Sequence, residues 1–179
     1  QIRGLAISLF VGSAAFDAFL IIIPLIFMQI LGVSVDKIPL IFSLVAIGAL
    51  LSTFIGEKSS HAWGFRKSLL IGYLGAGLAI IVFAISKSII LSIASLAIIQ
   101  IFQTAYGRVV FDSAMQHAIP SKSRATLGSA MSIIWSFGSA AGIGLAGVGI
   151  KMIGLVNTTL IIGVVAIIAG ILYYFTLEH

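Results

Sequence analysis

Six stretches of this chain, roughly 4–31, 38–56, 67–86, 88–117, 124–149 and 157–176, are apolar almost without interruption. A bilayer core about 30 Å thick is crossed by roughly 20 helical residues rising 1.5 Å each, and every stretch comes close to that length. No other feature constrains the fold as strongly. In hydrocarbon each backbone N–H and C=O must find its partner inside the protein, which leaves helices or closed barrels. The runs are continuous and about twice a barrel strand in length, so helices are expected. Composition agrees, with 60% of residues hydrophobic and 8% charged, against about 25% charged in an ordinary soluble domain. Ten Lys and Arg and five Asp and Glu cannot wet the surface of a globule, which excludes a soluble enzyme, a nucleic-acid binder and a disordered tail. The net charge of +5 sits mostly between the runs and reads as topology. With no cysteine, disulfides and thiolate chemistry are excluded.

Residues that start and stop helices punctuate the runs. Ser34 or Asp36 is placed to cap the second helix, with Pro39 in its first turn; Pro120 stops the fourth, Ser121 or Ser123 caps the fifth, and Asn157 opens the sixth. If the N-terminus is cytoplasmic, the inner segments hold Arg3, Lys58, Arg66, Lys67, Lys122 and Arg124, and the outer ones Lys37, Lys87 and Lys151. This excess predicts a multi-pass protein of the cell (plasma or inner) membrane with both termini inside. Leu177, Glu178 and His179 resemble the remnant of an affinity tag, and the first residue is Gln1. The expected organisation is one membrane domain over 1–176 with a tag remnant over 177–179, cut from a longer native chain.

Polar groups are distributed unevenly. The third run has little beyond Tyr73, and the sixth is apolar from Leu160 to Phe175. The first run carries Ser13 and Asp17 one turn apart. The fourth carries Gln100, Thr104, Arg108, Asp112 and Gln116 at steps of four, with Gln103 beside them. Steps of four wind slowly around a helix of 3.6 residues per turn, yet Gln100, Gln103, Thr104 and Arg108 still share one broad face. Facing lipid would be costly for these groups, so each is expected to meet a protein partner or a water-filled cavity. Ionisable residues inside a membrane usually mark a solute or proton path. A local Arg108–Asp112 ion pair and a structural Asp17 are the bland alternatives. One arginine cannot neutralise two carboxylates, which makes Asp17 a candidate for a protonation step.

The fifth run is rich in small residues, Gly138 to Gly149, including Gly138 and Gly142 four apart. Close helix packing is the simplest reading. Pro24 is placed to kink the first helix. No enzyme signature is present: the histidines do not cluster as metal ligands, no base stands beside Ser13, and no glycine-rich loop follows a strand. No cofactor or metal is therefore expected. Trp63, Trp135, Tyr173 and Tyr174 read as interfacial anchors or packing.

Two inner loops carry something more specific. The segment Gly56 to Lys67, ending Trp63-Gly64-Phe65-Arg66-Lys67, resembles the loop motif G-x-x-x-D-R-x-G-R-[RK] of the major facilitator superfamily. Gly64, Arg66 and Lys67 match its end, and His61 and Ala62 stand where the family has Asp-Arg. Pro120 to Gly128, with Arg124, is similar to the P-x-x-x-R segment before that family's fifth helix. The resemblance implies one six-helix half of a twelve-helix transporter, more like a C-terminal half, built as a three-plus-three inverted repeat. It also implies that the first and fourth helices line the solute path and that the third and sixth are peripheral.

The expected fold is thus an all-α membrane protein of six spans. Its expected function is secondary active transport of a small solute by alternating access, with proton coupling as one option. Ser13, Asp17, Gln100, Gln103, Thr104, Arg108 and Asp112 would form the binding face. A six-helix channel and a non-transporting membrane assembly subunit are the alternatives. Expected partners are the bilayer, a small-molecule solute and a second six-helix half, in the same native chain or in a homodimer mate, and no nucleic acid.

Overall fold

The protein is described from a computed structural model that covers residues 2–118 and 123–177. Its elements are α1 (Ile2–Gln29), a 3-10 turn (Val35–Lys37), α2 (Ile38–Ile85), α3 (Ile89–Phe102), a π-helical segment (Gln103–Val110), α4 (Phe111–Ala118), α5 (Arg124–Ile153) and α6 (Leu155–Thr176). Among the described residues, five helical stretches are long and apolar enough to cross a membrane: Arg3–Gln29, Ser52–Ile85, Ile89–His117, Ala125–Ile153 and Leu155–Thr176. The expected limits of the first, fourth, fifth and sixth runs hold to within a few residues, whereas the second and third, 38–56 and 67–86, fall within the single α2. There the helix continues, and only Gly64 leaves helical geometry, at φ 73° and ψ 167°. That conformation is open essentially to glycine alone.

The expected caps fare less well. Lys37, not Ser34 or Asp36, occupies the N-cap of α2, with Pro39 in the first turn as expected. Gly154, at φ 86° and ψ 165°, joins α5 to α6. Asn157 lies inside α6 and its Nδ2 donates to the Ile153 carbonyl at 2.9 Å, satisfying the end of α5 instead of opening α6. Ser123 stands at the N-cap of α5. Pro120, Ser121, Lys122, Glu178 and His179 lie outside the described residues. Pro24 sits within an unbroken α1.

Lipid is as apolar as leucine, so helices in a bilayer associate through close approach and van der Waals contact. α1 packs on α5 and α6, while α2 packs on α3, the π segment and α6. The glycines mark the nearest approaches. A Cβ at Gly142 would stand 2.6 Å from Ala14 Cα, and one at Gly138 would run into Ser13 Oγ and the Phe10 carbonyl. Gly77 and Gly163 face each other across α2 and α6 in the same way. This is the packing role expected of the Gly138/Gly142 pair. Between the contacts runs a column of rings: Phe16 to Tyr73 at 5.3 Å, Tyr73 to Tyr173 at 5.0 Å and Tyr173 to Phe111 at 5.9 Å. Tyr173 is fully buried, so it is a core residue and not an interfacial anchor.

Candidate functional site

A cavity of 590 Å³ opens between α1, α5 and the helix formed by the π segment with α4. Asp17 and Leu20 reach it from α1, and Gln103, Arg108, Phe111 and Asp112 from the π segment and α4. Met131, Ser132, Trp135 and Ser136 complete the wall on α5. Asp17 is half-buried, whereas Arg108 and Asp112 are exposed to the open side. Arg108 and Asp112 interact electrostatically one turn apart. The wall therefore gathers one guanidinium, two carboxylates, an amide and two hydroxyls within a hydrocarbon-spanning bundle. Such a concave site can hold a hydrated polar or charged solute, because its donors and acceptors replace the water the solute leaves behind.

The structure brings Asp17, Gln103, Arg108 and Asp112 together, and leaves Ser13, Gln100 and Thr104 outside the lining. The departure of Ser13 has a local cause. Ser13 is fully buried, donates to the Phe10 carbonyl at 3.0 Å, and faces Gly138 of α5. Gln100 belongs to regular α3, and the helix then widens over Gln103–Val110 into i→i+5 hydrogen bonding. Arg108 and Asp112 of the expected series reach the lining, but Gln103 and not Thr104 stands before them in it. The lining runs instead through Gln103, Gly107, Arg108, Phe111, Asp112 and Met115.

The loop residues matched by resemblance lie outside that lining. Gly64 makes the break, Arg66 donates through Nε to the Tyr174 carbonyl at 2.7 Å, and its guanidinium lies 4.5 Å from the Tyr174 ring centroid. Lys67 is exposed beside it, and Arg124 begins α5. Among the described residues, no three His, Cys, Asp or Glu side chains converge as metal ligands.

Ser132, Trp135 and Ser136 were not among the expected site residues. Their signature was present as two serines four apart flanking a tryptophan, on the helix side away from Gly138 and Gly142.

The profile of the Major Facilitator Superfamily matches residues 5–179. The chain belongs to that family. It is accordingly a multi-pass membrane protein of the transporter kind, which agrees with the membrane-capable helices. No curated protein and no solved structure matches the chain.

Proposed function

We propose that the chain is the C-terminal half of a secondary transporter that moves a small polar solute by alternating access, its cavity wall formed by Asp17, Gln103, Arg108, Asp112, Ser132 and Ser136. The observation that carries this reading is the convergence of Asp17 on α1 with Arg108 and Asp112 on the fourth span at a single cavity. Intramembrane charges are costly to keep unless a watery path uses them. In this reading Arg108 binds an anionic or polar group of the solute, or exchanges it for Asp17 when the solute leaves. Asp17 is the leading coupling carboxylate, because a single guanidinium leaves one of the two carboxylates to be neutralised by a proton or by the solute. Gln100, Thr104 and Ser13 then support the lining helices without touching the solute.

Six spans in a three-plus-three arrangement fit the same reading. α2 has 48 residues, which at 1.5 Å each is about 72 Å, more than twice a bilayer core. Division at Gly64 yields two spans. Gly64 and Gly154 then occupy equivalent junctions, second to third and fifth to sixth, with nearly the same dihedrals, 73°/167° and 86°/165°. The contacts echo this symmetry, since the first span packs on the fifth and sixth and the fourth packs on α2. The cavity is walled on one side, and α5 turns Phe137, Leu145 and Met152 outward, at 68%, 71% and 77% exposure. A second six-helix half would supply the other wall. The Lys and Arg distribution supports an orientation with both termini on the cytoplasmic side of the cell membrane.

The test is Asp17→Asn in the full-length protein, reconstituted and driven by a pH gradient. Loss of gradient-driven uptake with solute exchange retained supports a coupling role. Unchanged pH-driven uptake removes Asp17 from it.

A further inference from the structure

A second polar feature lies away from the cavity, where α2 breaks and α6 ends. A cleft of 250 Å³ is lined by Trp63, Phe65, Arg66, Lys67, Tyr174 and Leu177. Among the described residues no carboxylate lines it; Glu57 lines a different cleft with His61 and His117, and Glu178, which follows Leu177, lies outside the described residues. Arg66 is held rigidly, with Nε donating to the Tyr174 carbonyl at 2.7 Å and the guanidinium 4.5 Å from the Tyr174 ring centroid. That arrangement fixes the plane of the guanidinium and leaves its remaining N–H donors for a further acceptor. A planar fork of this kind suits phosphate oxygens, and Lys67 adds an exposed ammonium beside it.

The surface that continues from the cleft decides what bears the phosphate. Gly170 packs against Tyr73 and Gly163 against Gly77, so α6 runs antiparallel to the α2 segment after Gly64. Along their outer sides α6 exposes Ile161, Val164, Ile168, Ile171 and Phe175, at steps of three and four, and α2 exposes Ile71, Leu78, Val82 and Ile85. Two apolar stripes thus lead directly to a basic cleft rimmed by Trp63, which is 52% exposed. Tryptophan and snorkelling cations are the groups that settle at the headgroup level of a bilayer.

We infer that this cleft binds the phosphate headgroup of an anionic phospholipid, with the acyl chains lying along the α2 and α6 stripes. The lipid would hold the Gly64 break against the end of α6 by bridging Arg66 and Lys67. This site does not depend on the transport reading, because none of its residues lines the cavity.

The chain has two tryptophans, so Trp135→Phe leaves Trp63 as the sole indole reporter. This protein is reconstituted in phosphatidylcholine vesicles containing a small fraction of chain-brominated phosphatidylglycerol or, in parallel, chain-brominated phosphatidylcholine. The expected result is stronger quenching of Trp63 by the anionic lipid. A basic residue at an anionic headgroup favours it by roughly fivefold, so Lys67→Gln should lower the preference by about that factor. Lys67→Gln leaves the Arg66–Tyr174 contact in place, and Lys67→Arg should restore the preference. Lys58→Gln, on α2 outside the cleft, should leave it intact. Equal quenching by the two lipids overturns the inference. So does an equal loss in Lys58→Gln, which would indicate diffuse attraction. Abolition of the preference by millimolar inorganic phosphate would indicate a soluble-anion site and also overturn it.

Discussion

Gly142→Ala should weaken the bundle, while Gly144→Ala, two residues along the same helix, should not. A Cβ at Gly142 would sit 2.6 Å from both Cα and C of Ala14 and closer still to its carbonyl oxygen, whereas one at Gly144 meets nothing within 4 Å. Ordinary Cβ contacts begin near 3.4 Å, so α1 and α5 would have to part by close to an ångström. The obstacle is backbone and cannot swing aside as a side chain can. Forcing extra atoms into a tight contact costs about 1–3 kcal/mol. Replacing a helical glycine by alanine also returns up to about 1 kcal/mol of backbone entropy. That gain is common to both variants and cancels in their difference. Gly142→Ala should therefore unfold about 5- to 150-fold more readily than Gly144→Ala. The assay is a denaturant titration in bicelles in a Trp63→Phe background, so that fluorescence reports Trp135 on α5 alone. Equal midpoints for the two variants would refute the close α1–α5 approach. They would also refute the placement of Asp17, one turn beyond Ala14, against the α5 wall.

Two further outcomes follow from the same geometry. The chain has no cysteine, so Ser136→Cys and Ser13→Cys each carry a single thiol; a charged, water-soluble thiol reagent should modify the cavity position at least about tenfold faster than the fully buried one. Equal rates would mean that the cavity is not hydrated. Gly64→Ala should cost about 1–3 kcal/mol through backbone strain alone, since no atom lies within 4 Å of the added Cβ; an unchanged unfolding midpoint would show that the break does not need glycine.

The spans were legible because hydrocarbon permits so few backbone solutions that a run of twenty apolar residues is nearly a statement of structure. Helix ends were less so. Outside the bilayer several residues can stop a helix at similar cost, and water can satisfy the orphaned backbone groups in place of Ser34, Asp36 or Asn157. The segment around Gly56 to Lys67 read as a loop because it is polar. Polarity, however, requires only that a helix leave the hydrocarbon, and a single Gly64 in a glycine-only conformation breaks the helix without a loop.

The site was legible in proportion to what each residue costs in lipid. Asp17, Arg108 and Asp112 are too costly to leave facing acyl chains, so their presence alone announces a polar lining. Ser132 and Ser136 donate to the carbonyls of Gly128 and Ser132 at 3.1 and 3.0 Å. A serine that bonds back to its own helix is tolerated on any face, so its position in the sequence carries little information. The fourth span exposes the other limit. Its expected face took Gln100 and Thr104 with Arg108, whereas the lining takes Gln103, Gly107, Phe111 and Met115 beside Arg108 and Asp112, in a stretch where the hydrogen bonds shift to i→i+5 over Gln103–Val110. The segment contains Gly107 and carries both Gln103 and Arg108. π turns of this kind occur often where a helix must aim particular side chains at a site. The segment lies at the level of the cavity and carries Gln103, Gly107 and Arg108 into a lining shared with Asp17, while Gln100 and Thr104 stay outside it.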